Sequence, residues 1–366
     1  MYIKSLELEN FRNYENLQIE FDPKTTILFG DNAQGKTNIL EAVYYLAITK
    51  SYKGCKDRDV VMFDKEEAHL RAFLHKEETD HRIDMHIRKN KSKGIALDLE
   101  KVKKAADILG LMNVVLFSPE DLDLVKGGPG ERRHFADAEL CQLDKFYIYN
   151  LTNYNKLINQ RNTLLKDLSF NPSLQETIEI WDKQLISYGS KIIERRKQFT
   201  VQLNELIKDI HKKLSGGTEE IEIIYDPNTS IEEYEEKLKN AIGRDLKSKI
   251  TSVGPHRDDF VFMVNGIDIR YFGSQGQQRC AALSLKLAEI ELVKKITKDI
   301  PILLLDDVLS ELDSNRQNYL LNTIGEVQTI ITCTGLDEFV NNRFEVNKVY
   351  KVTKGTVEEM SGNQPS

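Results

Sequence analysis

The sequence predicts an α/β fold: a mixed β lobe built around one strand–loop–helix unit, joined to a mainly helical second lobe with a short antiparallel helical hairpin. Three observations predict it. A short apolar run, Thr26–Phe29, ends in Gly30 and soon gives way to the helical stretch ILEAVYYLAI. Strand-like segments crowd both ends of the chain, whereas Asp144 to Lys213 holds almost no Gly or Pro apart from the break at Asn171-Pro172. A second apolar run, Ile302–Leu305, ends in two carboxylates, as a buried parallel strand does at the ligand edge of an α/β sheet.

Taken in order, Ile3, Leu6 and Leu8 lead into a turn around Asn13, and Leu17, Ile19 and Phe21 resume before Pro23, an alternation that marks an antiparallel pair. Leu40, Val43, Tyr44 and Ala47 then form one helical stripe. His69–His75 and Arg82–Arg88 read as strands, and the basic run RKNKSKG reads as the loop that separates the latter from Ile95–Leu99. Composition changes after Gly127-Gly128-Pro129-Gly130. Leu151, Tyr154, Ile158, Arg161, Leu165 and Leu168 step by three and four, as do Ile178, Trp181, Leu185, Tyr188, Ile192, Arg195 and Phe199. Two heptad helices around one break predict the hairpin, at about residues 144–214. Its narrow apolar stripe favours a protruding arm over a compact bundle, with the seam residues Arg161 and Arg195 snorkelling outward. Glu220–Tyr225 reads as a strand and Ile231–Ile242 as a charged helix; Phe260–Val264 and Ile267–Phe272 form a hairpin over a type I′ turn at Asn265-Gly266. A long helix from Gln277 to Lys295 follows, then the strand Pro301–Leu305, a helix near Ser314–Ile324, the strand Thr329–Thr332 and a frayed tail after Met360.

Composition narrows the class. The chain has 366 residues, 40% hydrophobic and 30% charged with only 8 Pro, which suits an ordered chain of two domains or one large domain with an insertion. No apolar run approaches the ~20 residues of a membrane span. Charges interrupt any signal-peptide core in MYIKSLELENF, and Cys55, Cys141, Cys280 and Cys333 are scattered without a CxxC pair. A cytoplasmic protein with reduced thiols and no membrane partner is expected. A net charge of −7 and a pI near 5.7 argue against bulk attraction to nucleic acid, but not against a local basic face.

Gly30-Asp31-Asn32-Ala33-Gln34-Gly35-Lys36-Thr37 is a GxxxxGK[ST] P-loop. Its glycines let the backbone curl so that successive N–H groups face phosphate oxygens. Lys36 is placed to reach the β- and γ-phosphates of ATP, and the Thr37 hydroxyl to ligate Mg²⁺. The helix behind it points its positive end at the same anion. After the second apolar run, Asp306 is the expected Mg²⁺ partner through water, and Asp307 the catalytic carboxylate that orients or deprotonates the attacking water. Gly273-Ser274-Gln275-Gly276-Gln277-Gln278-Arg279 opens a long helix. Ser274 with Gln277 makes a capping box there, and the same free N–H groups suit an anion, so capping and ligand binding are compatible.

The order P-loop, GSQGQQR, LLLLDD and Ser310-Glu311-Leu312-Asp313 resembles the ABC-type ATPase head, with its Walker A, signature motif, Walker B and D-loop. LELENFRNYENLQIEF with FGDNAQGKTNILEAVYYL resembles the SMC-like branch of that superfamily. GPHRDD at 254–259, FGSQGQQR at 272–279, LLLDDVLSELD at 303–313 and FSPEDLDLVKGGPGERR at 117–133 resemble the RecF family of bacterial recombination mediators, a likeness that runs from residue 1 to about 358.

The resemblance implies an ATPase lobe of residues 1–120 and 296–366 and a second lobe of residues 121–295 that carries the hairpin and the signature. It implies ATP and Mg²⁺ as cofactors. Each ATP would lie between Lys36 and Thr37 of one chain and Ser274 and Gly276, flanked by Gln275 and Gln277, of another. ATP would therefore hold together a homodimer that clamps DNA, and slow, DNA-dependent hydrolysis would release it. Duplexes and single-strand/double-strand junctions, RecR and RecO are the implied partners, with loading of RecA onto gapped DNA, in the nucleoid, during repair, replication and the SOS response. An SMC-like head in chromosome organisation is the alternative. It calls for a far longer coiled coil than this hairpin.

Several positions depart from the general ABC pattern. Asp307 stands where that pattern has Glu, and its shorter carboxylate suits slow hydrolysis. Thr332-Cys333-Thr334 replaces the switch His, and Glu120 in FSPED is the stand-in for the Q-loop Gln. His256 reads as a base or as a local structural or phosphate-side group, and Arg12 as a phosphate contact or a solvated turn residue. Two basic clusters read either as solvated faces or as sequence-independent phosphate contacts. One holds Arg88, Lys89, Lys91, Lys93, Lys101, Lys103 and Lys104; the other holds Arg195, Arg196, Lys197, Lys208, Lys212 and Lys213.

Overall fold

Strand β1, Tyr2–Phe11, turns at Arg12-Asn13 into β2, Tyr14–Glu20, and β1 buries Ile3, Leu6, Leu8 and Phe11, with a register shift between Ile3 and Ser5. In the computed structural model, which describes residues 1–168, 177–309, 312–325, 327–336 and 347–360, this pair is extended by later strands. β3, Thr25–Phe29, enters the P-loop, and α1, Lys36–Ile48, leaves it. β4, Glu67–Lys76, β5, Thr79–Arg88, β6, Lys91–Leu97, and β7, Glu100–Lys101, then complete an antiparallel six-stranded sheet of order β2-β1-β4-β5-β6-β7. The basic run expected as a loop is therefore mostly strand, with only Lys89 and Asn90 between β5 and β6. A ladder solvated on one face accepts such charge.

β8, Val114–Phe117, is followed by α2, Leu122–Lys126, and by α3, Pro129–Leu143, with its proline in the first turn. α4, Lys145–Asp167, starts on Asp144, whose carboxylate accepts from the N–H groups of Phe146 and Tyr147. α5, Ile178–Leu214, is about 55 Å long at 1.5 Å per residue and returns along α4. The break at Asn171-Pro172 lies outside the described residues. β9, Ile221–Asp226, α6, Tyr234–Ser248, and β10, Asp259–Val264, come next. Asn265 and Gly266, with φ of 50° and 76°, make the expected I′ turn into β11, Ile267–Asp268. That strand stops after two residues, because the Asp268 carboxylate accepts from Arg270 N and starts α7, Ile269–Phe272. The expected Ile267–Phe272 strand is thus mostly a helical turn.

α8, Gln275–Thr297, β12, Ile302–Asp306, α9, Ser314–Thr323, and β13, Thr329–Cys333, follow the expected order. β14, Lys348–Thr353, and β15, Thr356–Glu359, were not anticipated; their signal is the alternation around the left-handed Lys354-Gly355 turn. They join a second six-stranded sheet of order β15-β14-β3-β13-β12-β8, parallel except for β15 at its edge. No described helix is long and apolar enough to cross a membrane.

The chain divides into two compact units, Met1–Asp121 with Glu289–Ser366, and Leu122–Ala288. In the first, α1 is buried on nearly every side, from Ile39 to Ile48, rather than along one stripe. In the second, α6 lies along the hairpin. Its Ile242 and Leu246 cover Leu165, Leu168 and Ile178, and its Leu238 and Ala241 pack with Ile193. The hairpin is therefore part of a packed helical layer and not a bare arm. Arg161 is correspondingly buried instead of snorkelling: it donates to Asp182 at 2.7 Å, Asp245 at 2.7 Å and Thr251 Oγ1 at 3.1 Å. Arg195 turns to Asp144 at 2.9 Å. Carboxylates within reach on α5 and α6 outcompete hydration of the seam cation.

Candidate nucleotide-binding site

β3 delivers Gly30 to the C-terminal edge of its sheet, where the glycine has φ of 153° and a Cβ would collide with the Val352 carbonyl. Gly35, with φ of 117°, caps α1, and a Cβ there would strike Asn13 and Tyr14. Two tight turns strap the loop between them. Asn13 Nδ2 donates to Gln34 O at 3.1 Å, Gly355 N donates to the same carbonyl at 3.1 Å, and Lys354 N donates to Gln34 Oε1 at 2.6 Å. α1 begins without a side-chain cap. Its first residues line a cavity of about 280 Å³ with Lys53, Asp306, Asp307 and Thr332.

The two buried charges in this cavity, Lys36 and Asp306, are held by neutral partners. Lys36 Nζ donates to the carbonyls of Gly30 and Asp31. Asp306 is only 5% exposed, at the end of β12. Its Oδ1 accepts from Thr37 Oγ1 at 2.8 Å and Thr332 Oγ1 at 2.8 Å, and its Oδ2 from Tyr52 OH at 3.1 Å. Burial, and then the charges of Asp306, Glu41 and Glu120, push the Tyr52 phenol well above its ordinary pKa, so it remains a donor. Asp307 leaves the strand with a left-handed φ of 54°, its N–H held by Thr332 Oγ1 at 3.0 Å. Lys36, Thr37, Asp306 and Asp307 thus meet in one cavity. Lys53, Tyr52 and the hydroxyl role of Thr332 escaped the sequence reading; the tripeptide SYK carries no motif, and Thr332 is marked only by its place at the end of a core strand.

The donor set fits a magnesium nucleotide: hard oxygens of a hydroxyl and a carboxylate stand beside a lysine and a run of backbone N–H groups. Arg12 does not belong to it. Its Nε and Nη2 donate to Glu41 of α1 at 2.9 and 2.5 Å, and its Nη1 to Asp59 O at 2.8 Å, and it does not line the cavity.

In the second unit, the signature residues form the expected capping box. Ser274 N donates to Gln277 Oε1 at 2.9 Å, and Gln277 N to Ser274 Oγ at 3.2 Å. Ser274, Gln275 and Gly276 are exposed, beside the exposed rings of Tyr271 and Phe272. Ser310 and Glu311 of the D-loop lie outside the described residues. His256 is a local structural group: Nδ1 accepts from Tyr154 OH at 2.7 Å, and Nε2 donates to Thr251 O at 2.9 Å. Burial lowers its pKa to about 4 and keeps it neutral. The basic clusters are partly dismantled. Arg196 is buried on Asp137 and Asp258, Lys93 binds Tyr45 OH and Asp57, and Lys89 binds Phe63 O. Lys91, Lys101, Lys103 and Lys104, and Lys197, Lys208, Lys212 and Lys213, remain exposed.

A P-loop strand and a carboxylate strand flanking one intervening parallel strand, with a threonine on the carboxylate, define a P-loop protein of the ABC-head class. Residues 2–358 match the RecF/RecN/SMC N terminal domain. The chain is 60% identical over 359 residues to the DNA replication and repair protein RecF of Lachnoclostridium phytofermentans, covering 98% of this chain and 100% of that one. For the RecF of Agathobacter rectalis the identity is 57% over 358 residues, covering 98% and 99%. A solved structure of the recombination mediator protein RecF with ATP, in the RecFOR pathway, superimposes with a TM-score of 0.92 at 36% identity over 98% of each chain. An Smc head bound to the winged-helix domain of ScpA shares the fold alone, with a TM-score of 0.57 at 16% identity over 98% of this chain and 97% of that one. The chain belongs to the RecF family.

Proposed function

We propose that this chain is an ATP-switched DNA clamp of replication and recombinational repair, and the Thr37–Asp306–Thr332 cluster beside Lys36 is the observation that carries the reading. The backbone N–H groups of Gly30 to Gly35 cradle phosphate oxygens, and Lys36 exchanges the carbonyls of Gly30 and Asp31 for the β- and γ-phosphates. Thr37 would ligate Mg²⁺ directly and Asp306 through water; the ion, when bound, offsets charge on the β- and γ-phosphates. Asp307 orients or deprotonates the attacking water, and its short carboxylate suits slow turnover. Ser274 and Gly276, with Gln275 and Gln277, close the site from a second copy, so that ATP makes the homodimer and hydrolysis undoes it. The dimer holds duplex DNA at gaps and single-strand/double-strand junctions through the exposed lysines, without reading bases. RecR and RecO are the protein partners and RecA the loaded product, in the cytoplasm at the nucleoid.

Ser274→Arg tests the composite site. As a lost cap it costs about 1 kcal/mol of stability. As a cation facing the other copy's γ-phosphate it also abolishes ATP-dependent dimerisation, while monomer ATP binding persists. Sizing both proteins with and without ATP and gapped DNA reads this out. Dimerisation of the variant at wild-type concentrations would sink the composite site.

A further inference from the structure

We propose that Glu67, His69 and His86 form a surface site for one borderline transition-metal dication of the zinc class. The β4–β5 register sets His69 directly opposite His86, and Glu67 lies two residues before His69 on the same face. The two imidazoles stack with centroids 4.1 Å apart and planes 19° from parallel. Both address one carboxylate. Glu67 Oε2 lies 2.8 Å from His86 Nε2, and Oε1 lies 3.9 Å from His69 Nε2. A tetrahedral ion with bonds of ~2.0–2.1 Å sets its ligands about 3.3 Å apart. The two observed separations straddle that edge, and the ion is admitted when the rings tilt out of their stack to aim both Nε2 lone pairs at it. Two imidazoles and one carboxylate suit zinc, whereas magnesium and calcium select all-oxygen sets.

The surroundings leave the three groups available. Arg88, the cross-strand partner of Glu67, turns its guanidinium to Ser92 O at 3.2 Å. Arg71 is engaged by Glu7 and Asp84, each at 2.7 Å. Gly94 sits opposite His86 and presents no side chain, and Glu9 sits opposite His69. The result is a trough of about 570 Å³ on the solvent face of the antiparallel sheet, with room for water or a fourth ligand. None of its residues lines the P-loop cavity, so the ion is separate from any nucleotide-bound magnesium.

The test is calorimetric titration of zinc chloride into the full chain, in chelator-free buffer without nucleotide, on wild type, His69→Gln, His86→Gln and the double variant. Cobalt(II) absorption spectra of the same proteins report the ligand set independently. Expected is one ion per chain, with affinity lowered at least about 10-fold in each single variant, since loss of even an outer-shell partner costs that much. The visible cobalt band of a low-symmetry site should vanish in the double variant. Absence of saturable zinc uptake by wild type would overturn the site. So would uptake unchanged in the double variant, which would move the ion to other donors, such as His211, Glu219 and Cys280.

Discussion

The P-loop and the helical hairpin treat buried charge in opposite ways. Around the P-loop, Lys36 rests on two carbonyls and Asp306 on three hydroxyls, beside an open cavity. Along the hairpin, Arg161 and Arg196 are buried against Asp182, Asp245, Asp137 and Asp258. Neutral partners leave a charge ready for a ligand, and ionic partners consume it. Burial of a charged residue therefore marks a site only where its counter-charge is missing.

The largest effect should come from breaking the closed arrangement. Arg161→Ala leaves Asp182 and Asp245 without their cation and should cost about 3–5 kcal/mol in urea unfolding, with nucleotide binding preserved below the transition. Lys36→Ala, by contrast, removes neutral bonds and should cost roughly 1 kcal/mol while abolishing nucleotide binding. Equal losses in the two variants would erase the contrast.

The pH dependence of the second unit sharpens it. The His256 pKa falls from 6.5 to about 4 in the fold, so the unfolded chain binds more protons between these values. Stability tied to the neutral ring is whole above pH 6.5 and is lost as the pH falls toward 4, by about 3 kcal/mol. His256→Gln should remove that part of the slope. Parallel acid profiles for wild type and variant would show that the ring is not held neutral.

In the open arrangement the smallest change has a kinetic readout. Asn adopts the left-handed backbone of position 307 readily, so Asp307→Asn should leave fold and ATP binding intact. Hydrolysis should fall about 10²-fold, and the ATP-bound dimer should persist on DNA. Wild-type turnover would move the catalytic carboxylate elsewhere, with Glu120 next in line.

What was legible in the sequence follows from how locally each feature is encoded. A phosphate cradle needs contiguous residues, so Gly30 to Thr37 read as a string, and Asp306 and Asp307 read from the apolar strand before them. The third hydroxyl on Asp306 comes from Tyr52, and the strap on Gln34 comes from Asn13 and Lys354, positions joined only by the fold. The hairpin stripe was legible because its period is local. The burial of Arg161 was not, because Asp245 lies on α6, a helix the periodicity could not place. The basic runs stayed open between two readings for the same reason: charge along the chain does not show which carboxylate faces it.

β3 carries the P-loop, yet among the described strands it bonds only to β13 and β14, so that Thr25 pairs with Thr329 and Thr26 with Lys348. On a ribosome adding ~5–20 residues per second, on the order of 15–60 s separates the synthesis of those partners. Throughout that interval TTILF is an apolar segment with both edges open, the kind of nascent sequence that chaperones shield. The contiguous second unit, Leu122–Ala288, faces no such delay. A stalled or truncated chain that ends before Lys348 thus lacks both the strand beside the loop and the Lys354-Gly355 turn that straps Gln34.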